Sequence, residues 1–105
     1  NCPLIVTEHA DIDAAVQGAT LRSFRNCGQI CIAINRIYVH RSVYQEFISK
    51  FSHSADALTV ANGLDNPNAD LGAIASAEAL KKTQQHLEDA MSKGARLVAG
   101  GSVPE

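Results

Sequence analysis

Apolar residues follow two patterns along this chain, short uninterrupted runs and stripes with helical spacing. The runs at residues 4–7, 36–40 and 96–99 predict three strands, because they are short and rich in β-branched and aromatic side chains. The first run consists of three apolar residues followed by the β-branched Thr7, which is typical of a strand buried on both faces of a parallel sheet. The stripes lie between the runs and predict three helices, because their apolar positions recur at helical spacing.

Polar residues and glycines indicate where these helices begin and end. Asp11, Ser42 and Ser76 are the predicted N-caps, with Ser42 as the start of a capping box. Gly28 and Gly94 are the predicted stops, because glycine readily adopts the left-handed conformation that ends a helix. We expect the first helix to run from about Ile12 to about Asn26.

The order strand, helix, strand, helix, helix, strand predicts an α/β fold with a mainly parallel open sheet and flanking helices. Residues 61–75 are dense in Gly, Asn, Asp and Pro, which predicts a surface loop between the second and third helices. The chain enters an apolar run almost at once and stops just after another, so we expect residues 1–105 to be one piece of a domain in a longer protein.

Composition excludes several classes of function. The chain is 46% apolar and 19% charged, which is typical of a globular protein. Its net charge of −2 and its scattered Lys and Arg residues argue against nucleic-acid binding. No apolar run approaches the roughly 20 residues that a membrane helix needs, so we expect no membrane partner and a cytoplasmic location.

The three cysteines, Cys2, Cys27 and Cys31, are the residues with the clearest chemical potential. Their odd number and low density predict reduced thiols rather than a disulfide framework. A zinc site is disfavoured, and no metal is predicted, because the histidines are dispersed and supply no second ligand pair at the usual spacing. The four histidines are His9, His40, His53 and His86.

Cys31 is the candidate nucleophile. A single cysteine is more often a small buried apolar residue than a reactive one, and that alternative applies here. However, Cys31 follows a predicted helix stop and has polar neighbours that favour a thiolate. Cys27 is expected to pack on the last turn of the first helix, although a disulfide with Cys31 would inactivate the nucleophile.

The segment around Cys31 also resembles a known family. The motif Asn26-x-Gly28-Gln29-x-Cys31, led by Phe24 and followed shortly by Asn-Arg-Ile-Tyr-Val, is similar to the cysteine segment of the aldehyde dehydrogenases. The resemblance extends over almost the whole chain and implies that residues 1–105 are part of the catalytic domain of such an enzyme. Asn26 and Gln29 are then interpreted as side chains that hold the loop.

The resemblance implies a mechanism. The Cys31 thiolate would add to an aldehyde, and the oxyanion would be stabilised by the backbone N–H of Cys31 and by an Asn elsewhere in the enzyme. Hydride would pass to NAD or NADP, and water would hydrolyse the resulting thioester. Lys82 is similar in position to a family lysine that can contact the adenosine ribose of the cofactor, and the alternative interpretation is an ordinary exposed helical lysine. A homo-oligomer of the full-length enzyme is also implied.

Four segments most resemble the succinate-semialdehyde dehydrogenases, which makes succinate semialdehyde the expected substrate; they are residues 24–26, 35–39, 63–66 and 93–96. The chain departs from the family at residues 71–73, where Gly-Pro often stands. Two parts implied by the resemblance are not in this sequence: the dinucleotide-binding domain and the Glu-Leu-Gly-Gly segment with the general base. The isolated chain is therefore expected to be inactive.

Two other functions remain open from the sequence alone. A cysteine acyltransferase or hydrolase would need a histidine within hydrogen-bond reach of Cys31. A non-catalytic α/β interaction module would carry three inert thiols. Thiol reactivity distinguishes the module from the enzymes, and the position of the histidines distinguishes the two enzymes.

Overall fold

The computed structural model describes residues 2–103. It contains a parallel pair of strands with three α-helices and two short 3₁₀ segments. In chain order the elements are β1 (Cys2–Val6), α1 (Ile12–Phe24), a 3₁₀ segment (Arg25–Gly28), β2 (Ile34–Val39), a 3₁₀ segment (Arg41–Val43), α2 (Tyr44–Asp56) and α3 (Ala77–Ser92). This arrangement confirms the predicted α/β class, a parallel sheet with flanking helices.

The two strands run parallel, with Leu4 opposite Ile37 and Val6 opposite Val39. These four side chains face the helices, and Val6 is only 2% exposed. The next residue pair, Ile5 and Tyr38, points to the other side of the sheet because side chains alternate along a strand. Ile5 is 71% exposed and Tyr38 is 58% exposed, so one face of the sheet is buried and the other is open.

The core lies between the sheet, α1 and α2. Phe47 of α2 is its largest fully buried side chain, and burying an aromatic residue of this size stabilises a fold by about 1.5–3 kcal/mol. Phe51 stacks on Phe47 at a ring-centroid distance of 5.5 Å and on Phe24 of α1 at 5.8 Å. The end of α1 is therefore fixed against α2 immediately before the cysteine loop. The buried cluster consists of Val6, Ile12, Val16, Ala19 and Phe47.

Helix α1 begins as predicted but ends earlier. The Asp11 carboxylate accepts the Ala14 N–H at 3.0 Å, which confirms Asp11 as the N-cap. The helix ends at Phe24, whereas the sequence predicted an end at about residue 26. Arg25 has left the helical region, with ψ at 128°, so Gly28 lies beyond the helix end instead of terminating it.

Helix α2 begins at Tyr44, and the prediction that Ser42 caps it is wrong. A 3₁₀ turn over Arg41–Val43 precedes the helix, and its cap is the His40 ring. The His40 Nδ1 accepts the Ser42 N–H at 3.4 Å and lies 2.8 Å from the Ser42 Oγ. The capping box failed because a 3₁₀ turn occupies the three residues before the α-helix proper, which places Ser42 inside the turn.

Lys50 connects α2 to the start of α1. Its Nζ lies 2.6 Å from Asp13 and 2.8 Å from Glu46. The hydrogen bond to Asp13, followed by that to Glu46, raises the pKa of Lys50 above its ordinary value. All three side chains are partly exposed, so solvent screening limits what this contact adds to stability.

Helix α3 agrees with the prediction at both ends. The Ser76 Oγ accepts the Ala79 N–H at 3.2 Å, and Gly94 follows the helix with φ at +91°. The Gly94 N–H donates to Met91 and the Ala95 N–H donates to Ala90, both to backbone carbonyls at 3.0 Å. This pair of bonds is the Schellman motif, in which glycine is the favoured left-handed residue.

The predicted third strand at residues 96–99 does not form, because no described segment pairs with it in a ladder. Its side chains Leu97 and Val98 are 46% and 43% exposed. An apolar run alone does not make a strand, since a strand also needs a neighbour for its hydrogen bonds. Across residues 2–103, no helix combines the length and the apolar character needed to cross a membrane.

Candidate active site

The loop between α1 and β2 has an unusual backbone. Asn26, Cys27 and Gly28 have φ values of +53°, +57° and +72°, three consecutive residues in the left-handed region. For a residue with a Cβ this conformation costs about 1–2 kcal/mol, and asparagine and glycine tolerate it best. Cys27 was predicted to lie on the last helical turn, and that prediction is wrong. The loop therefore needs support from its surroundings.

Asn26 and Gln29 supply part of this support by bonding to each other. The Asn26 carbonyl accepts the Gln29 backbone N–H at 3.1 Å and the Gln29 Nε2–H at 2.9 Å. The Asn26 side chain donates a longer bond, 3.4 Å, to the Gln29 carbonyl. The interpretation of both residues as loop-holding side chains thus agrees with the structure.

Two further bonds connect this loop to the segment before α3. The Gln29 Oε1 accepts the Ala75 backbone N–H at 2.9 Å. The Cys27 thiol donates to the Gly72 carbonyl at 3.3 Å. This contact could not be predicted from the sequence, because both partners in the second segment are backbone groups. The nearest hint was the departure from the family pattern at residues 71–73.

The segment before α3 is itself ordered by Asp70. The Asp70 Oδ2 accepts the Thr59 N–H and the Thr59 hydroxyl, both at 2.8 Å. These bonds favour the ionised carboxylate, so they hold the pKa of Asp70 below its ordinary value. A parallel bridge between Val60 and Leu71 closes the loop beside them. Residues 59–75 thus form a surface loop that includes the predicted loop at residues 61–75, and we term it the α2–α3 loop.

Cys31 is exposed and lies between this supported turn and β2. The Ala33 N–H donates to the Ile30 carbonyl at 3.0 Å, and the Cys2 N–H donates to the Ala33 carbonyl at 3.2 Å. The Cys31 segment is therefore fixed at the amino-terminal ends of both strands. Sites in open parallel sheets usually lie at the carboxyl ends, so this position differs from the general expectation.

The remaining candidate residues lie apart from this loop or have other contacts. Cys2 is exposed on β1, and Lys82 is exposed on α3. His9 lies 3.6 Å from Glu8, and His40 caps the turn before α2. Within the described part of the chain, no group of three or more His, Cys, Asp or Glu residues could hold a metal ion.

Two surface grooves lie elsewhere on the molecule. One of about 980 Å³ runs between α1 and α2 and reaches Asp70 and Leu71. Another of about 370 Å³ lies between α2, α3 and residues 95–100. Of the residues described, Cys31 lines neither groove. The exposed thiol thus lies outside both of these grooves.

The loop sequence and its geometry agree with a comparison against known protein families. The sequence pattern of the Aldehyde dehydrogenase family matches residues 1–105, which is the whole chain. The chain belongs to the aldehyde dehydrogenase family.

Relatives within this family share much of the sequence. A probable succinate-semialdehyde dehydrogenase [NADP(+)] of Sinorhizobium fredii is 50% identical over 101 residues, which are 96% of this chain and 20% of that protein. A 3-sulfolactaldehyde dehydrogenase of Pseudomonas putida is 44% identical over 101 residues, again 96% of this chain and 21% of that protein. The chain therefore spans about a fifth of the length of these relatives.

The fold agrees as well. A crystal structure of an aldehyde dehydrogenase from Brucella melitensis biovar abortus superposes with a TM-score of 0.93 at 43% identity. The match covers 99% of this chain and 21% of that one. The parallel strand pair and its helices are thus a local part of the aldehyde dehydrogenase architecture.

The Sinorhizobium fredii relative is named for NADP(+), and the turn between β1 and α1 fits the pyrophosphate of such a cofactor poorly. A dinucleotide pyrophosphate is usually held by a glycine-rich turn between a strand and a helix. The turn between β1 and α1, residues 7–11, contains no glycine and carries the acidic residues Glu8 and Asp11. Its charge would repel a pyrophosphate at this helix N-terminus.

Proposed function

We propose that residues 1–105 are part of the catalytic domain of an aldehyde dehydrogenase and that Cys31 is its nucleophile. The observation that carries this proposal is the position of Cys31. It is exposed directly after a strained and internally bonded turn, within a chain that matches the family from end to end. An exposed thiol beside a fixed backbone suits nucleophilic attack, because the attacking atom is accessible and its orientation is set by the loop.

The proposed chemistry begins with attack of the Cys31 thiolate on the aldehyde carbon. The carbonyl oxygen becomes an oxyanion, which the backbone N–H of Cys31 stabilises together with a donor from elsewhere in the enzyme. Loss of hydride from this thiohemiacetal yields a thioester, and water releases the carboxylic acid and restores the thiol. A bound NAD or NADP would supply the hydride acceptor, and we propose that other parts of the enzyme hold it.

Lys82 remains a predicted contact of this cofactor. The support is its resemblance to the family position and its exposure on α3. It lies on a different element from the Cys31 loop, so its contribution would be to binding rather than to the chemical step. The full-length enzyme is further proposed to be a cytoplasmic homo-oligomer, on the strength of the resemblance.

We propose succinate semialdehyde as the substrate. The names of two relatives support a substrate of this kind, since succinate semialdehyde and 3-sulfolactaldehyde both combine an aldehyde with an acidic group. The shared feature is an anionic aldehyde. Comparing succinate semialdehyde with butyraldehyde, which has the same carbon count without the carboxylate, would measure how strongly the enzyme selects for the charge.

The experiment that tests the nucleophile is the substitution Cys31→Ser in the full-length enzyme. We expect NAD(P)H formation to fall by at least about 10³-fold, because a neutral hydroxyl is a much weaker nucleophile than a thiolate. Cofactor affinity, measured by fluorescence titration, should change little. Cys2→Ser is the matched control, since Cys2 is also exposed, and it should retain normal turnover. Turnover by Cys31→Ser similar to that of the control would show that another residue attacks the aldehyde.

A further inference from the structure

We propose that Gln29 is a positioning residue that connects the Cys31 loop to the α2–α3 loop, so that the α2–α3 loop helps to set the orientation of the nucleophile. This inference rests on the proposed function of Cys31. It assigns to residues 72–75 a role in catalysis that they perform without touching the substrate.

Gln29 uses both ends of its side-chain amide. Its Nε2–H donates to the Asn26 carbonyl on one side, and its Oε1 accepts the Ala75 N–H on the other, each at 2.9 Å. One planar group thus joins two segments that are 46 residues apart in sequence. Glutamine suits this position because it carries a donor and an acceptor on the same rigid amide.

The backbone conformation shows why such a connection is needed. Asn26 and Cys27 are held in the left-handed region, which residues with a Cβ occupy only when their surroundings enforce it. Gln29 bonds to the carbonyl of the first of these residues, and the thiol of the second bonds to Gly72. The Gln29 side-chain bonds and the Cys27–Gly72 bond hold the turn immediately before Cys31, and both connect it to the α2–α3 loop.

The α2–α3 loop is itself held in place by hydrogen bonds, so it can fix the partners of Gln29 and Cys27. Asp70 bonds to Thr59 through two hydrogen bonds, and Val60 pairs with Leu71, so the segment before Gly72 is held from its far side. Ser76 caps α3 directly after Ala75, which holds the near side. Residues 72–75 therefore lie between two fixed points.

Gln29 is exposed, so its role does not lie in filling the core. Its loss should leave the buried cluster intact and allow the turn to relax. A displacement of about 1 Å at a reacting group can cost on the order of 10²-fold in rate. We therefore expect the chemical step to be more sensitive to Gln29 than the stability of the fold is.

The test compares Gln29→Met with wild type in the full-length enzyme. Methionine has a similar length and no amide, so it removes both hydrogen bonds with little change in volume. Hydrogen exchange at the Ala75 amide should become faster. The single-turnover rate of hydride transfer should fall by about 10- to 100-fold, with the KM for cofactor changed less than about threefold. Gln84→Met, at an exposed position in the middle of α3, is the matched control and should alter neither readout.

The conservative variant Gln29→Glu separates the two bonds. It keeps an acceptor for the Ala75 N–H but loses the donor to Asn26, so Ala75 should regain protection while the rate recovers only in part. The proposal is overturned if Gln29→Met leaves the single-turnover rate within about twofold of wild type, or if Ala75 exchange is unchanged. Failure of the proposed function would look different, because Cys31→Ser would then retain turnover whatever the Gln29 variants do.

Discussion

At the scale of single residues, Gly28 differs from its two neighbours in how well it suits its conformation. All three residues from Asn26 to Gly28 have positive φ, but only Gly28 lacks a Cβ. A Cβ at this position would lie 3.2 Å from the Ser23 carbonyl oxygen, a tight contact with backbone that cannot move aside easily. Cys27 carries a Cβ, so its positive φ is strained. Its hydrogen bond to the Gly72 carbonyl offsets part of this strain.

We predict that Gly28→Ala destabilises the cysteine loop. The left-handed conformation should cost about 1–2 kcal/mol once a Cβ is present, and the contact with Ser23 adds to it. Thermal inactivation of the full-length enzyme should therefore begin at a lower temperature. Gly63→Ala is the matched control, because a Cβ there meets nothing within 4 Å and the residue is not left-handed. Equal thermal profiles for the two variants would contradict this account of Gly28.

At the scale of elements, the sequence predicted those features whose causes are local. The boundaries of α3 follow from Ser76 and Gly94, which act within one helical turn of their own positions. The predicted end of α1 was wrong because Arg25 leaves the helix and enters a turn. That turn is held by residues 72–75, far along the chain. The prediction of a strand at residues 96–99 was wrong for a related reason. A strand forms only with a partner strand, whatever its own apolar character.

The candidate site divides in the same way. Cys31 could be singled out from its motif, and Gln29 could be assigned to loop support. The partners of Gln29 and Cys27 could not be found, because the Ala75 N–H and the Gly72 carbonyl are backbone groups that every sequence possesses. Only the packing of the α2–α3 loop selects them.

The α2–α3 loop also allows a prediction about pH. Because Asp70 has a lowered pKa in the folded protein, its bonds to Thr59 contribute stability that is fully present above the ordinary aspartate value of 3.8. That contribution is lost as the pH falls through the lowered pKa. We expect hydrogen exchange in residues 59–75, corrected for intrinsic rates, to accelerate in this acidic range before the rest of the chain responds.

Asp70→Asn should loosen the α2–α3 loop in the same way at neutral pH. A neutral amide oxygen accepts the two Thr59 hydrogen bonds more weakly than a charged carboxylate does. Limited proteolysis of the full-length enzyme should then cut the α2–α3 loop faster. Asp65→Asn is the matched control in the same loop, since Asp65 is exposed and its backbone N–H donates to the Asn62 carbonyl, a bond that the substitution retains. Indistinguishable cleavage of the two variants would show that Asp70 does not order the loop.

At the scale of the whole molecule, the sheet formed within residues 2–103 has two strands and one covered face. Strands in parallel sheets are normally buried on both faces, yet Ile5 and Tyr38 lie open on the outer side. The relatives are about five times as long as this chain, which spans 20% of the Sinorhizobium fredii protein. We infer that the remaining parts of an aldehyde dehydrogenase would cover this face.

We predict that the 105 residues on their own show no NAD(P)-dependent oxidation of aldehydes. Hydride transfer needs a cofactor in contact with the thiohemiacetal carbon, and the turn between β1 and α1 has acidic residues where a pyrophosphate site has glycines. Cys31 also lies outside the grooves of about 980 and 370 Å³, so neither of them can hold an aldehyde beside it. The exposed apolar face should in addition cause the isolated chain to associate.

NADH and NADPH formation with succinate semialdehyde, at high protein concentration, measures the activity, and light scattering measures the association. Turnover above that of a Cys31→Ser control would mean that these residues bind and orient the cofactor themselves, contrary to the charge and geometry of the β1–α1 turn.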